Sequence, residues 1–432
     1  MSEWKEDILS KKVDLIHGHQ FRDNDFVEDG IPIIKIGQLK VNGQIDLTDC
    51  SYIDRKNLEK FKDYLINQGD VLMALTGATL GKTVRVTKDF GNILQNYRVG
   101  KFLSIDNSIN KDFIYYLLTS SFVQNEMLAK INTAAQGNIG KADFKRIKIR
   151  YPSYKIQQKI AHILTTCDTV IEQTQSAIAK FKAIKQGLLH DLFTRGLDAN
   201  GHLRPSCQDS PELYKESELG MIPKEWEVKI MDHLCDLITD GSHFSPKPLD
   251  VGEIIANVKD MDEFGINYEA CTKISYKDFV TLKNQNCSPN KGDVLLSKDG
   301  TVGRVILFND ENSIVILSSI AILRPNNKLI SEFLYGFLKS EYFNKQLLVK
   351  LSGSALKRIV LRDIKNLLVA FPMNQNEQRM MSERIIKIEN KIQIEETLLQ
   401  KYQSIKRGLM GDLLGGRKTV GDDGDAIMVR HA

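Results

Sequence analysis

The chain of 432 residues is 42% hydrophobic and 26% charged with a formal net charge of +4, the profile of a multidomain globular protein with two or three cores. No apolar run approaches the roughly 18 residues of a membrane span, and the opening Ser2-Glu3-Trp4-Lys5 resembles neither a signal nor a transit peptide, so a cytoplasmic protein without a membrane partner is expected. Six cysteines without a C-x-x-C pair and eight histidines without ligand spacing point away from a disulfide framework and from a metal site.

In chain order, Glu3-Trp4 and Asp14-Leu15-Ile16 open a region of short strands, among them Ile33-Ile34-Lys35-Ile36. The run Gly69-Asp70-Val71-Leu72-Met73-Ala74 reads as a buried strand that enters a glycine turn ending on Lys82. Helical periodicity over 113–131, a polar glycine-containing segment and a strand closing at Tyr151-Pro152 complete this region. Beyond the proline, Ile160, Leu164, Ile171, Ile178, Phe181, Ile184 and Leu188 recur at steps of three, four and seven, which keeps one face of a helix apolar over 156–196. Such a helix is roughly 60 Å long at ~1.5 Å per residue, so pairing in a coiled coil is expected rather than an ordinary bundle. Ser-, Pro- and Asp-rich residues follow as a linker.

The whole order then repeats about 220 residues later. Glu225-Trp226, Asp236-Leu237-Ile238, Ile254-Ile255, and the strand and turn from Gly292-Asp293-Val294-Leu295 to Arg304 restate the first region. After Phe371-Pro372 a second apolar stripe comprises Ile385, Ile392, Leu399, Tyr402, Ile405 and Leu409. The two helices end alike, Lys185-Gln186-Gly187-Leu188-Leu189 against Lys406-Arg407-Gly408-Leu409-Met410. The expected fold class is α+β: two repeated mixed α/β domains (1–153 and 223–373) separated by two long antiparallel coiled-coil helices (154–196 and 374–415), related by a pseudo-twofold axis. Residues 197–222 form the linker, and 416–432 a flexible tail.

Several catalytic signatures are absent. Gly77-Ala78-Thr79-Leu80-Gly81-Lys82-Thr83 follows a strand and nearly spells a phosphate-binding P-loop, but three residues stand between the glycines where that motif needs four. A nucleotide hydrolase is therefore kept only as an alternative, beside a protein-binding coiled-coil scaffold. No dinucleotide fingerprint or nucleophile elbow occurs. Matching basic segments do stand out: Lys130, Lys141, Lys145, Arg146, Lys148 and Arg150 in the first copy, and Lys350, Lys357, Arg358, Arg362 and Lys365 in the second. Cations interleaved with Gln136 and Asn138 suit phosphate contacts and base edges, although a solvated face would also be charged.

The chain resembles the specificity subunit of type I DNA restriction–modification systems over residues 1 to about 417. The segments that carry the resemblance are Ser217-Glu218-Leu219-Gly220-Met221-Ile222-Pro223, Asp240-Gly241-Ser242-His243, the two Gly-Asp-Val-Leu loops, Gln136-Gly137-Asn138-Ile139 and the helix ends. Tyr151-Pro152-Ser153 and Phe371-Pro372-Met373 depart from the usual double proline, and the second copy lacks the Gln-x-Asn-Ile pattern. The resemblance implies a non-catalytic subunit that binds a bipartite target in double-stranded DNA, one half-site per domain. It further implies two docked methyltransferase subunits and, where the system has them, restriction subunits. No cofactor is expected on this chain; S-adenosylmethionine belongs to the methyltransferase partner, which flips the target adenine. The candidate DNA contacts are Lys82, Gln136, Asn138 and Lys141 in the first domain, and His243, Lys298, Arg304, Lys357 and Arg358 in the second. Ile160, Leu164, Ile171, Ile178, Phe181, Leu188, Ile385, Ile392, Leu399, Tyr402 and Leu409 are the candidate coiled-coil and docking positions.

Overall fold

The computed structural model describes residues 4–40, 44–131, 138–311, 313–351, 358–420 and 427–429. The chain forms two compact units, Met1–Thr174 with Leu398–Ala432, and Gln175–Thr397. Each contains one α/β lobe and part of each long helix.

In the first unit, lobe 1 is built on an antiparallel sheet in the order Val13–His17, Val99–Ser104, Val71–Ala74, Thr83–Arg85. The unbroken apolar run of Val71–Ala74 is explained by burial on both faces. Val71 and Met73 join a core with Phe102, Phe113 and Tyr116, whereas Leu72 and Ala74 join a second core with Ile34, Val84 and Val99. A smaller sheet orders Phe26–Val27, Ser51–Ile53, Ile31–Ile34 and Leu94–Gln95. In the second unit, lobe 2 repeats the main sheet with Cys235–Asp240, Ile320–Pro325, Val294–Ser297 and Val305–Leu307. Its alternation is the same, Val294 and Leu296 to one core and Leu295 to another.

The best-matched loop of the repeat is a structural device. Gly69 (φ 82°) and Gly292 (φ 90°) occupy the left-handed region that only glycine enters without strain. The next aspartate is buried and closes the turn: Asp70 accepts from Asn67 N at 2.8 Å and pairs with Lys111 at 3.0 Å, and Asp293 accepts from Asn290 N at 2.7 Å and holds Arg324 through two bonds of 2.8 Å.

The long helices are Tyr154–Arg195, of 42 residues, and Gln375–Leu414, of 40. Glycines in the left-handed region, Gly196 and Gly416, stand just beyond their ends. In the first unit Ile156, Ile160 and Leu164 share a core with Leu413 and Leu414; in the second, Leu192 and Phe193 share one with Met381 and Ile385. Early residues of one helix thus meet late residues of the other, the antiparallel sense. Lys182 to Glu396 at 2.6 Å and Lys185 to Glu389 at 2.9 Å set the same sense within the second unit. Of the predicted stripe, Ile160, Leu164, Ile178, Ile385 and Ile392 are buried, and Ile171, Phe181, Leu188, Leu399, Tyr402 and Leu409 half-buried. Ile184 and its repeat counterpart Ile405 instead turn outward, 46% and 45% exposed. A 3.6-residue period carries a strict stripe away from the contact face over several turns.

Candidate nucleic-acid interface

Both lobes build the same loop frame where the main sheet ends. In lobe 2 the strand Val294–Ser297 runs into Lys298, whose N–H donates to Ser319 O at 2.8 Å and whose carbonyl accepts from Ile359 N at 3.0 Å. In lobe 1 Leu75 donates to Arg98 O and accepts from Ile139 N, both at 2.9 Å. Ser242 N bonds Ile316 O at 2.9 Å, as His19 N bonds Gln95 O at 3.0 Å. The preceding glycines allow this close approach, because a Cβ on Gly241 would lie 2.1 Å from Ile316 O and one on Gly18 2.2 Å from Gln95 O. Gly241→Ala is therefore expected to force the backbone apart and to lower the stability of the second unit by about 1–3 kcal/mol. Thermal unfolding identical to wild type would contradict that steric account.

On this shared frame the side chains differ. Lobe 1 presents half-buried His19 and Tyr97, and exposed Arg98 and Asn138. Arg98 Nε donates to the Tyr97 hydroxyl at 2.8 Å. Asn138 makes a strand-like bridge to Thr76. Lobe 2 has buried Ser242 and half-buried Ser318 and Ser319 at these places, with exposed His243 and Arg358. Phe244, 67% exposed, stands beside them. His19, Tyr97, Arg98 and Phe244 escaped the sequence reading, since each is a single residue after a strand with no charge run around it. The 221-residue offset that relates the two helix ends also relates Ser319 to Arg98.

The predicted cations divide by environment. Arg358 is exposed and has no ion-pair partner among the described residues. Lys141 is exposed and pairs with Asp14 at 3.0 Å, a surface contact weak enough to exchange for a phosphate. His243 is exposed beside Asp240, 3.5 Å from its carboxylate. Three candidates are engaged inside the protein. Lys298 is 7% exposed, with its ammonium on Asp240, so its charge is neutralised internally. Lys82 Nζ donates to Leu39 O at 3.1 Å, and Arg304 reaches Met261 O in the same way. These two half-buried cations are repeat counterparts that hold equivalent carbonyls, which explains why each glycine turn ends on a cation. Gln136 and Lys357 lie outside the described residues.

The near P-loop is a hairpin connection. Val71–Ala74 and Thr83–Arg85 are antiparallel neighbours, and Gly81 N bonds Ala74 O at 2.9 Å. The phosphate cradle needs the N-terminus of a helix directly after the loop, and here a strand follows. Among the described residues no helix is long and apolar enough to cross a membrane.

Comparison with known proteins agrees with the duplication. The Type I restriction modification DNA specificity domain matches residues 2–181 and again 223–403. The type I restriction enzyme MjaVIII specificity subunit of Methanocaldococcus jannaschii is 26% identical over 365 residues, covering 82% of this chain and 80% of that one. The type I restriction enzyme EcoBI specificity subunit of Escherichia coli is 21% identical over 388 residues, covering 88% and 78%. Among solved structures, the S subunit of a type I restriction-modification system from M. genitalium superposes with a TM-score of 0.63 at 16% identity over 96% of both chains, a likeness of fold. With two copies of its domain filling most of the sequence, this chain belongs to the type I restriction–modification DNA specificity family.

Proposed function

We propose that this specificity subunit binds a bipartite DNA sequence, with lobe 1 (1–153) reading one half and lobe 2 (223–373) the other, and that residues 154–196 and 374–415 serve as spacers. The observation that carries the reading is the duplicated loop frame bearing unlike side chains: one scaffold used twice supports two different short words. Arg98 with Tyr97 and Asn138 in lobe 1, and His243 with Arg358 in lobe 2, offer exposed donors of the kind that contact base edges and phosphates. Lys141 joins them as a phosphate contact. Lys82, Lys298 and Arg304 position the loops. Gln136 and Lys357 remain candidate contacts from the basic segments.

The subunit acts as the address-reading component, while methyltransferase subunits carry out chemistry on an extruded adenine and restriction subunits join where the system has them. The outward-facing Ile184 and Ile405, at repeat-related positions on the long helices, support docking of two methyltransferase subunits along those helices. Mapping methylated adenines in DNA exposed to the assembled complex tests the proposal. Two short fixed words separated by a fixed unread gap are expected; a single continuous word would refute it. Arg358→Ala is expected to change affinity in one of two ways. Loss of a phosphate contact lowers the slope of log affinity against log salt by about one, and loss of a base contact relaxes one position at about 1–3 kcal/mol. No change in either quantity would remove Arg358 from the interface.

A further inference from the structure

The repeat also exposes a difference between the lobes away from the loop frame. In the second unit, a groove of about 220 Å³ lies between the end of the first long helix (Leu189, Phe193) and the lobe helix at Tyr342. The chain closes it with its own linker. Strands Tyr214–Ser217 and Gly220–Pro223 form a hairpin with Glu218 and Leu219 at its turn. Leu219 packs onto the lobe 2 core, and Tyr342 donates its hydroxyl to Met221 O at 3.4 Å. Glu216 and Glu218 precede this leucine and face solvent.

The first unit has the counterpart groove, where Met410, Leu414 and Phe122 take the places of Leu189, Phe193 and Tyr342. It is about 630 Å³, and its lining includes no residue of the hairpin of Lys418–Val420 with Ile427–Val429 that follows Arg417. Phe122 is 55% exposed there. Arg150, Arg407 and Arg417 line it and no acidic residue does, whereas at the lobe 2 groove Glu341 is paired with Lys345 at 2.8 Å. Arg150 and Arg407 have no ion-pair partner among the described residues.

We infer that the groove of the first unit is a docking site for a leucine turn of a partner polypeptide preceded by acidic residues; in the second unit Glu216-Ser217-Glu218-Leu219-Gly220 supplies such a leucine internally and leaves its carboxylates in solvent. The apolar floor takes the leucine, and the guanidiniums of Arg150 and Arg407 take the carboxylates that precede it, an arrangement suited to bidentate pairing, while Arg417 is already paired with Asp412 at 3.7 Å. One consequence is asymmetry: the partner's leucine enters at lobe 1, whereas at lobe 2 the chain's own Leu219 already lines the groove. The inference is independent of how DNA is read.

A synthetic peptide with the sequence of residues 213–224 serves as the probe, titrated onto the full chain and followed by fluorescence anisotropy. Saturable binding is expected, weakened at least ten-fold by Arg407→Glu, by Phe122→Ser, or by aspartate in place of the peptide's leucine. A photo-crosslinking side chain in place of Phe122 is expected to capture the peptide. Three results would overturn the proposal: no saturable binding, binding indifferent to Arg407→Glu and Phe122→Ser, or crosslinking of position 122 to the chain's own residues 421–432, which would make that segment the occupant.

Discussion

Glu389→Ala is expected to destabilise the second unit by about 3–5 kcal/mol, the cost of leaving buried charges without their partner. Glu389 is 7% exposed. It accepts from Tyr335 Oη at 2.6 Å and Lys339 Nζ at 2.8 Å, and pairs with Lys185 Nζ at 2.9 Å. Without it, Lys339 retains no acid within ion-pair distance among the described residues, only the more distant charge of Glu263, and Lys185 keeps only Glu263 at 3.2 Å. For a unit of this size the loss corresponds to roughly 10 °C in melting temperature. A drop below about 1 kcal/mol would show that water or rearranged side chains replace the carboxylate.

The same site fixes the sign of an acid dependence. Burial by itself would raise the pKa of Glu389, but the ammoniums of Lys339 and Lys185, with the hydrogen bonds from Lys339 and Tyr335, override it and hold the group below its ordinary value. A carboxyl depressed in the folded state contributes stability above its unfolded pKa of ~4.3 and loses it as the pH falls through the folded value. Glu389→Gln is therefore expected to be less stable than wild type at neutral pH and to flatten the decline in stability below about pH 4. A parallel decline in both proteins would assign the acid sensitivity elsewhere. The first unit repeats the design at Asp168, which accepts from Tyr116 Oη at 2.6 Å and pairs with Lys406 at 2.5 Å. In each unit a lobe tyrosine, an acid on one long helix and a lysine on the other are tied together, so lobe orientation and helix register are fixed at a single point.

What the sequence made legible follows from which forces are local. Apolar period and proline position are properties of short windows, and they identified both long helices; the repeat offset then made each lobe evidence for the other. Side-chain roles were less accessible, because they depend on what a distant segment brings. Lys298 is indistinguishable from a DNA-contacting lysine until Asp240, 58 residues away in sequence, is found beside it. Lys82 and Arg304 lie in loops rich in small residues, and nothing nearby in sequence announces the carbonyls of Leu39 and Met261. Charged residues within the long helices likewise acquire meaning only across helices. Glu389 and Lys185 are off-pattern in each helix alone and become a buried pair together.

Adding four residues, about one turn, at matched positions in both long helices is expected to lengthen the preferred DNA gap by one or two base pairs and to leave both half-words unchanged. Four residues advance a helix by about 6 Å and by about 40° beyond a full turn. B-DNA advances ~3.4 Å and roughly 35° per base pair, in the same right-handed sense. A duplex lying along the paired helices can thus follow the longer spacer by inserting one or two steps while each lobe keeps its face toward the groove. The four-residue insertion also shifts the apolar stripe as a stutter, which the coiled coil accommodates by local unwinding rather than by separation. The expected outcome is read by selecting methylated or protected sites from a library of half-words joined by random gaps. An unchanged gap would mean that the helices do not set the distance, and altered half-words would mean that the lobes are reshaped by them. A shift confined to the gap requires that reading belong to the lobes and measuring to the helices, because only then can one be changed without the other.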